Sequence, residues 1–221
     1  MFSFSMFSGG EAPKTARGWV LDHAGRPTPV GPERRDAARN RARVLEAARE
    51  LFEERGVREV TMEEISTRAG VGKGTLYRRY PNKGLLCQAL LDEPTRLFQG
   101  EVMRELAASG GEPLQRLELF FWRLISFMEA NLDLLYGAHA SLSSEDRLSH
   151  PAYDWRRWTV LGLLREAARR GGLDPALDVE YLATALLAPL DVELYHHQRH
   201  NLGLSPERIS SGLASLVPRR N

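Results

Sequence analysis

The sequence has little of what marks a membrane-spanning, secreted or disulfide-stapled chain. A single cysteine, Cys87, leaves no intrachain disulfide to form, which agrees with a reducing compartment. A lone cysteine is expected to serve as a small buried apolar residue rather than as a redox centre. No apolar run approaches the roughly 18–20 residues that span a bilayer. The opening Met1-Phe2-Ser3-Phe4-Ser5-Met6-Phe7 is apolar but lacks the basic start of a signal peptide. A cytoplasmic chain without membrane attachment is therefore expected. Nucleophile elbows, P-loops, dinucleotide fingerprints and paired metal motifs are missing as well, so neither catalysis nor a cofactor is expected. Strand-like alternation, glycine–aromatic repeats and low-complexity tracts are also absent. What remains is an all-α chain of about nine helices.

Charge of one sign is scarce overall but unevenly placed. The 221 residues carry a net charge of +1, with 43% hydrophobic and 27% charged residues, ordinary values for a globular protein of one or two domains. Residues 1–83 hold 16 Lys/Arg against 11 Asp/Glu, whereas residues 84–221 hold 14 against 18. A basic N-terminal third joined to an acidic remainder implies that only the former meets a polyanion.

Residues 1–32 are dense in Gly and Pro, which argues for a flexible N-terminal arm; docking of Trp19 onto a neighbouring surface is the alternative. From Glu33 the pattern becomes helical. Arg34, Arg35, Arg39, Arg41 and Arg43 precede an apolar face of Val44, Leu45, Ala48, Leu51 and Phe52, and Gly56 stops the helix. The arginines, Arg41 and Arg43 among them, fit phosphate attraction; a solvated helix face is the plainer reading, since Glu46, Glu50, Glu53 and Glu54 follow.

The most informative stretch is Thr61–Lys83. Thr61 and Glu64 have capping-box spacing, and Met62, Ile65 and Ala69 share one face of a short helix. Gly70 stands where a left-handed residue would end that helix, with Val71 as an apolar plug. Leu76 and Tyr80 repeat at i+4 in a second short helix, which Pro81 ends. Two short helices about a tight turn, the second carrying outward Arg and Tyr, form the pattern of a helix-turn-helix.

The stretch resembles the TetR-type transcriptional regulators. Thr61, Ile65, Ala69, Gly70, Val71, Gly74, Thr75, Leu76, Tyr77, Tyr80, Pro81 and Lys83 match their motif, while Ser66 and Gly72 replace its usual alanine and serine with other small residues. The resemblance implies a three-helix DNA-binding domain over 33–83 and a helical effector-binding and dimerisation domain over 84–217. It places Lys73, Gly74, Thr75 and Tyr77 at DNA bases. Lys73 can donate to guanine, Thr75 can meet a thymine methyl, and Gly74 admits close backbone approach. Arg78 and Arg79 suit flanking phosphates, as do Thr61 and Lys83 at helix starts.

Downstream, a long helix is expected from Lys83 to Ala108, kinked or broken near Pro94. A further helix starts at Pro113 and holds the apolar run 119–128, others follow at 132–140 and 151–170, and single helices at 178–200 and 205–217. The resemblance implies that the last two pair with their copies in a homodimer on a palindromic double-stranded operator. It also places a small-molecule effector site in the aromatic-rich region, with Phe121, Trp122, Arg123, Phe127, Tyr136, His139, Trp155 and Trp158 as candidates; core packing is the alternative for each aromatic. Arg123 is expected to meet either an acid such as Glu118 or an anionic ligand. His196 and His200 stand at a metal-compatible i, i+4 spacing beside His197, but no further ligand completes a site and no metal is expected. A ligand-responsive repressor is the leading function; a helical carrier protein and an enzyme are the other classes.

Overall fold

The structure is a computed structural model that describes residues 19–21, 27–29, 32–141 and 150–218. The chain divides into two compact units, Met1–Arg43 and Val44–Asn221. In the first, Trp19–Leu21 (β1) pairs antiparallel with Pro27–Pro29 (β2), Val20 standing opposite Thr28. Two prolines in three residues leave few ladder donors, which keeps the ribbon this short. The rest of the expected arm, up to Gly31, lies outside the described residues. Helix α1 (Pro32–Arg55) is ended by Gly56, whose φ of 81° only glycine adopts readily and whose N–H donates to the Phe52 carbonyl at 2.8 Å.

Within the second unit two hydrophobic cores follow one another. The first gathers Val44, Ala48, Leu51 and Phe52 of α1 with residues of α2 (Met62–Ala69), α3 (Lys73–Arg79) and the opening turns of α4 (Lys83–Ala108). Cys87 is fully buried there, and burial pushes its thiol up to about 11, so it behaves as the apolar filler expected. The second core begins with Phe98, Val102 and Leu106 further along α4.

Helix α4 spans both cores as one 26-residue element, with Pro94 inside it, so the expected break does not occur. A proline keeps helical φ and removes one hydrogen bond. Leu90 and Leu91 on one side and Phe98 and Val102 on the other are buried, which holds both segments in line.

The second core is completed by α5 (Pro113–Ala130), α6 (Leu132–His139), α7 (Pro151–Arg169), α8 (Val179–Leu187), α9 (Val192–His200) and α10 (Pro206–Ser215). Helix α5 buries Leu117, Phe120, Phe121, Leu124, Ile125 and Met128, which is why its sequence is apolar over most of its circumference. The single helix expected over 178–200 is two. Pro189 lacks the N–H that α8 would need, a 3-10 turn at Ala188–Leu190 follows, and Asp191 starts α9 afresh by accepting the Glu193 N–H at 3.0 Å. The described residues thus hold ten α-helices and one 3-10 turn.

Candidate nucleic-acid interface and effector cavity

The expected capping box closes α2. The Thr61 hydroxyl accepts the Glu64 N–H at 3.3 Å, and Glu64 accepts the Thr61 N–H at 2.8 Å. Arg55 lies 2.9 Å from the Glu64 carboxylate; with the Thr61 hydrogen bonds it holds the carboxyl down at about 2 against an ordinary 4.5. At the other end Gly70 takes φ 60°, and the Val71 N–H reaches back to the Ser66 carbonyl at 3.1 Å. This turn aims α3 outward.

Leu76 is the buried anchor of α3, and Tyr80 just after it is 5% exposed. Lys73, Gly74, Tyr77, Arg78 and Arg79 are exposed and Thr75 is half-buried, so the residues expected at bases lie along the outer side of this short helix. A Cβ built on Gly72 or Gly74 would meet nothing within 4 Å, and neither glycine has positive φ. Gly72 is the N-cap of α3, where glycine is favoured, but glycine at the helical position of Gly74 costs about 0.5–1 kcal/mol relative to alanine. No packing within the chain repays that cost, which points to close approach from outside. Lys73 pairs with Glu63 at 2.5 Å, but both are more than half exposed, and such a pair is worth at most about 1 kcal/mol. Arg78 and Arg79 have no carboxylate partner among the described residues.

Two residues expected at phosphates are engaged otherwise. The Lys83 ammonium donates to the carbonyls of Val57, Arg58 and Val60 at 2.6, 3.0 and 3.0 Å. All three of its N–H donors serve the loop between α1 and α2, so Lys83 is a clasp within the domain. The Thr61 hydroxyl is held by Glu64, whose negative charge stands beside it. Arg41 and Arg43 belong to the first compact unit, Arg41 half-buried and Arg43 exposed.

A cavity of about 680 Å³ opens between α4, α6, α7 and the α8–α9 junction. Leu91, Leu135, Ala138, Leu187 and Leu190 supply apolar wall; Gln88, Arg96, His139, His150 and Arg156 supply polar groups. Burial lowers the pKa of the Arg156 guanidinium, whose Nε donates to the Ala152 carbonyl at 3.1 Å.

Of the eight residues expected at an effector site, His139 lines this cavity. Phe121 is fully buried in the second core, Phe127 stacks on Phe98 at 4.5 Å, and Trp155 packs edge-on against Phe98 at 5.7 Å. Trp122 and Trp158 are exposed on the surface. Arg123 does not line the cavity and pairs with acids, the first of its two expected alternatives: Glu101 and Glu105 of α4 at 3.3 and 2.9 Å. Tyr136 lies between Arg58, 5.2 Å above its ring, and His196, which in turn contacts His200. A signal for Arg156 was present in the sequence: it falls four residues from Ala152 and from Val160, an arginine within an apolar stripe of α7.

A short outward helix set on a left-handed turn, anchored by one leucine and edged by exposed arginines, defines a helix-turn-helix protein. The profile described as "Bacterial regulatory proteins, tetR family" matches residues 44–90. An HTH-type transcriptional regulator of Staphylococcus aureus strain USA300 is 40% identical over 65 residues, 29% of this chain and 35% of that relative, so the chain matches about a third of the relative's length. The structure of Thermus thermophilus FadR, a TetR-family transcriptional repressor in complex with lauroyl-CoA, is 24% identical and covers 82% of this chain and 97% of its own, with a TM-score of 0.61. A putative transcriptional regulator from Saccharomonospora viridis in complex with choline is 22% identical and covers 80% of this chain and 95% of its own, with a TM-score of 0.59. Residues 44–90 thus match the tetR-family model, and the chain as a whole shares the fold of the Thermus thermophilus structure. Ligands as unlike as lauroyl-CoA and choline sit on this fold, so the fold by itself names no effector.

Proposed function

We propose that this chain is a sequence-specific DNA-binding transcriptional regulator, acting as a ligand-responsive repressor on a palindromic operator. The observation that carries the reading is α3: Leu76 is buried beneath it, while Lys73, Gly74 and Tyr77 are exposed and the glycines have no packing role inside the chain. Lys73, Thr75 and Tyr77 contact base edges in the major groove, Gly74 lets the helix approach, and Arg78 and Arg79 hold phosphates.

The acting form is a homodimer. Tyr181 on α8, Leu194 on α9 and Leu216 just after α10 are 74, 44 and 60% exposed, large apolar side chains that a partner's matching helices would cover. Two copies then present two α3 helices about 34–36 Å apart, one turn of B-DNA.

The cavity beside α4 receives a small molecule with an apolar body and a polar group directed to Arg156 or Gln88. Its wall includes both α4 and α6, which cross at minimal separation. A Cβ on Gly84 would overlap Ser141, and one on Gly137 would stand 2.9 Å from Val57 and 3.0 Å from Cys87. With no slack at that crossing, displacement of either helix moves the first core and α3 with it. A ligand that binds the displaced arrangement better weakens operator binding by that difference in affinity.

Selection of bound duplexes from a random library, followed by gel shifts on the promoter nearest its own gene, tests the reading. A palindromic consensus whose affinity falls with salt is expected. Equal affinity for random DNA would sink it.

A further inference from the structure

Two polar residues are buried in the described core, Ser66 and His139. Ser66 is satisfied, since its hydroxyl donates to the Glu63 carbonyl at 2.9 Å. His139 is not. Its side chain is 5% exposed, and its Nε2 has no hydrogen-bond partner. Burying such an atom unpaired costs about 1–3 kcal/mol, so its survival at a cavity wall needs a cause.

Two carboxylates face the imidazole. Asp191 Oδ2 stands 3.7 Å from Nε2, and Glu193 Oε1 stands 3.6 Å from Nδ1. Both distances are too long for hydrogen bonds. One ligand atom from each of the three residues lies within 4.8 Å of the others. Two ligands of a tetrahedral zinc ion, each about 2.0–2.2 Å from the metal, stand about 3.4 Å apart. The observed spread of up to 4.8 Å exceeds this, and the two carboxylates stand at opposite ring nitrogens, so binding draws Glu193 round to the nitrogen that Asp191 faces.

The local structure prepares each group. Asp191 is fixed as the cap of α9, its Oδ1 accepting the Glu193 N–H at 3.0 Å, which leaves Oδ2 directed to His139. Glu193 is 66% exposed and can swing inward. Two carboxylates on one neutral imidazole also balance a double positive charge. We propose that His139, Asp191 and Glu193 bind one divalent transition-metal ion of the zinc class. His139 and Asp191 line the cavity, so the remaining coordination position opens into it, where water or an oxygen donor of a ligand completes the shell. The ion ties the end of α6 to the start of α9. Imidazole with carboxylates and no thiolate suits zinc, nickel or iron(II) rather than copper(I).

The test uses the full chain, stripped with EDTA and free of DNA, so it stands apart from the regulator reading. Zinc chloride is titrated by calorimetry, and cobalt(II) is followed by its visible absorption. One ion per chain is expected, with a Kd in the micromolar range or tighter. Glu193→Gln, which alters an exposed side chain, and His139→Gln each weaken binding at least about tenfold, comparable with losses at other metal sites. The His196→Ala/His200→Ala double variant binds as the parent does. The proposal is overturned if the parent binds no ion at millimolar zinc, if Glu193→Gln binds like the parent, or if binding is lost with His196 and His200 instead.

Discussion

Lys83→Met separates two roles that a lysine can hold beside DNA. Methionine keeps most of the apolar stem and removes the ammonium. In the structure that ammonium donates to the Val57, Arg58 and Val60 carbonyls, fastening the loop between α1 and α2 to the start of α4. A hydrogen bond to a charged group contributes about 1.5–3 kcal/mol. The site is half-buried, so water replaces part of what is lost, and a net destabilisation of about 2–3 kcal/mol is expected for the three together. At about 2–4 °C per kcal/mol for a chain of this size, Tm falls by roughly 4–12 °C. Calorimetry reads that fall. Fluorescence anisotropy on the selected operator, taken well below Tm at several salt concentrations, reads the other role. Loss of a phosphate contact lowers the slope of log K against log salt by about 0.9, whereas loss of a clasp leaves it unchanged. A variant with unaltered Tm and a slope reduced by about 0.9 would refute the clasp and restore Lys83 to the phosphates.

Three further outcomes follow from single sites. Gly74→Ala has open space and an ordinary φ, so it raises fold stability by up to about 1 kcal/mol while weakening operator binding; equal affinity for the operator would remove Gly74 from the interface. Gly137→Ala drives a methyl to 2.9 Å from Val57 and 3.0 Å from Cys87, and overpacking of this kind costs about 1–3 kcal/mol. Adding Val57→Ala should recover part of the lost Tm, and a strictly additive double variant would contradict the contact. Glu64 has a folded pKa of about 2 against an ordinary 4.5, chiefly through Arg55, so its contribution is complete above pH 4.5 and is lost as pH falls toward 2. Thermal melts across that window should show a shallower acid decline for Glu64→Gln than for the parent.

The helix-turn-helix was legible in the amino-acid order because every feature of it is local. A cap and its partner lie three residues apart, a left-handed glycine ends a helix whatever lies beyond, and a leucine and tyrosine at i+4 share a face by helical geometry alone. The all-helical class follows from the same periodicities. The expected helix around Pro189 is two, and α4 runs on through Pro94, for one reason. A proline removes the same hydrogen bond in both places, and whether the helix continues depends on what is buried on either side. Leu91 and Phe98 hold α4 together, whereas Asp191 caps a new start after Pro189.

Roles that depend on partners distant in the chain were decided by tertiary structure. The sequence leaves Arg123 with an acid or an anionic ligand, and α4 decides for acids by bringing Glu101 and Glu105 against it. Lys83 stands at a helix start, where an anion is favoured, yet the α1–α2 loop delivers three carbonyls to it first. The sequence leaves the aromatics of α5 and α7 either in a core or at a cavity, and packing puts Phe121 in the core and Trp158 on the surface. His139 and Asp191 are 52 positions apart and share no motif, yet folding sets them 3.7 Å from each other at a cavity wall. Periodicity determines which side of a helix is apolar; only the neighbouring helices determine what that side touches.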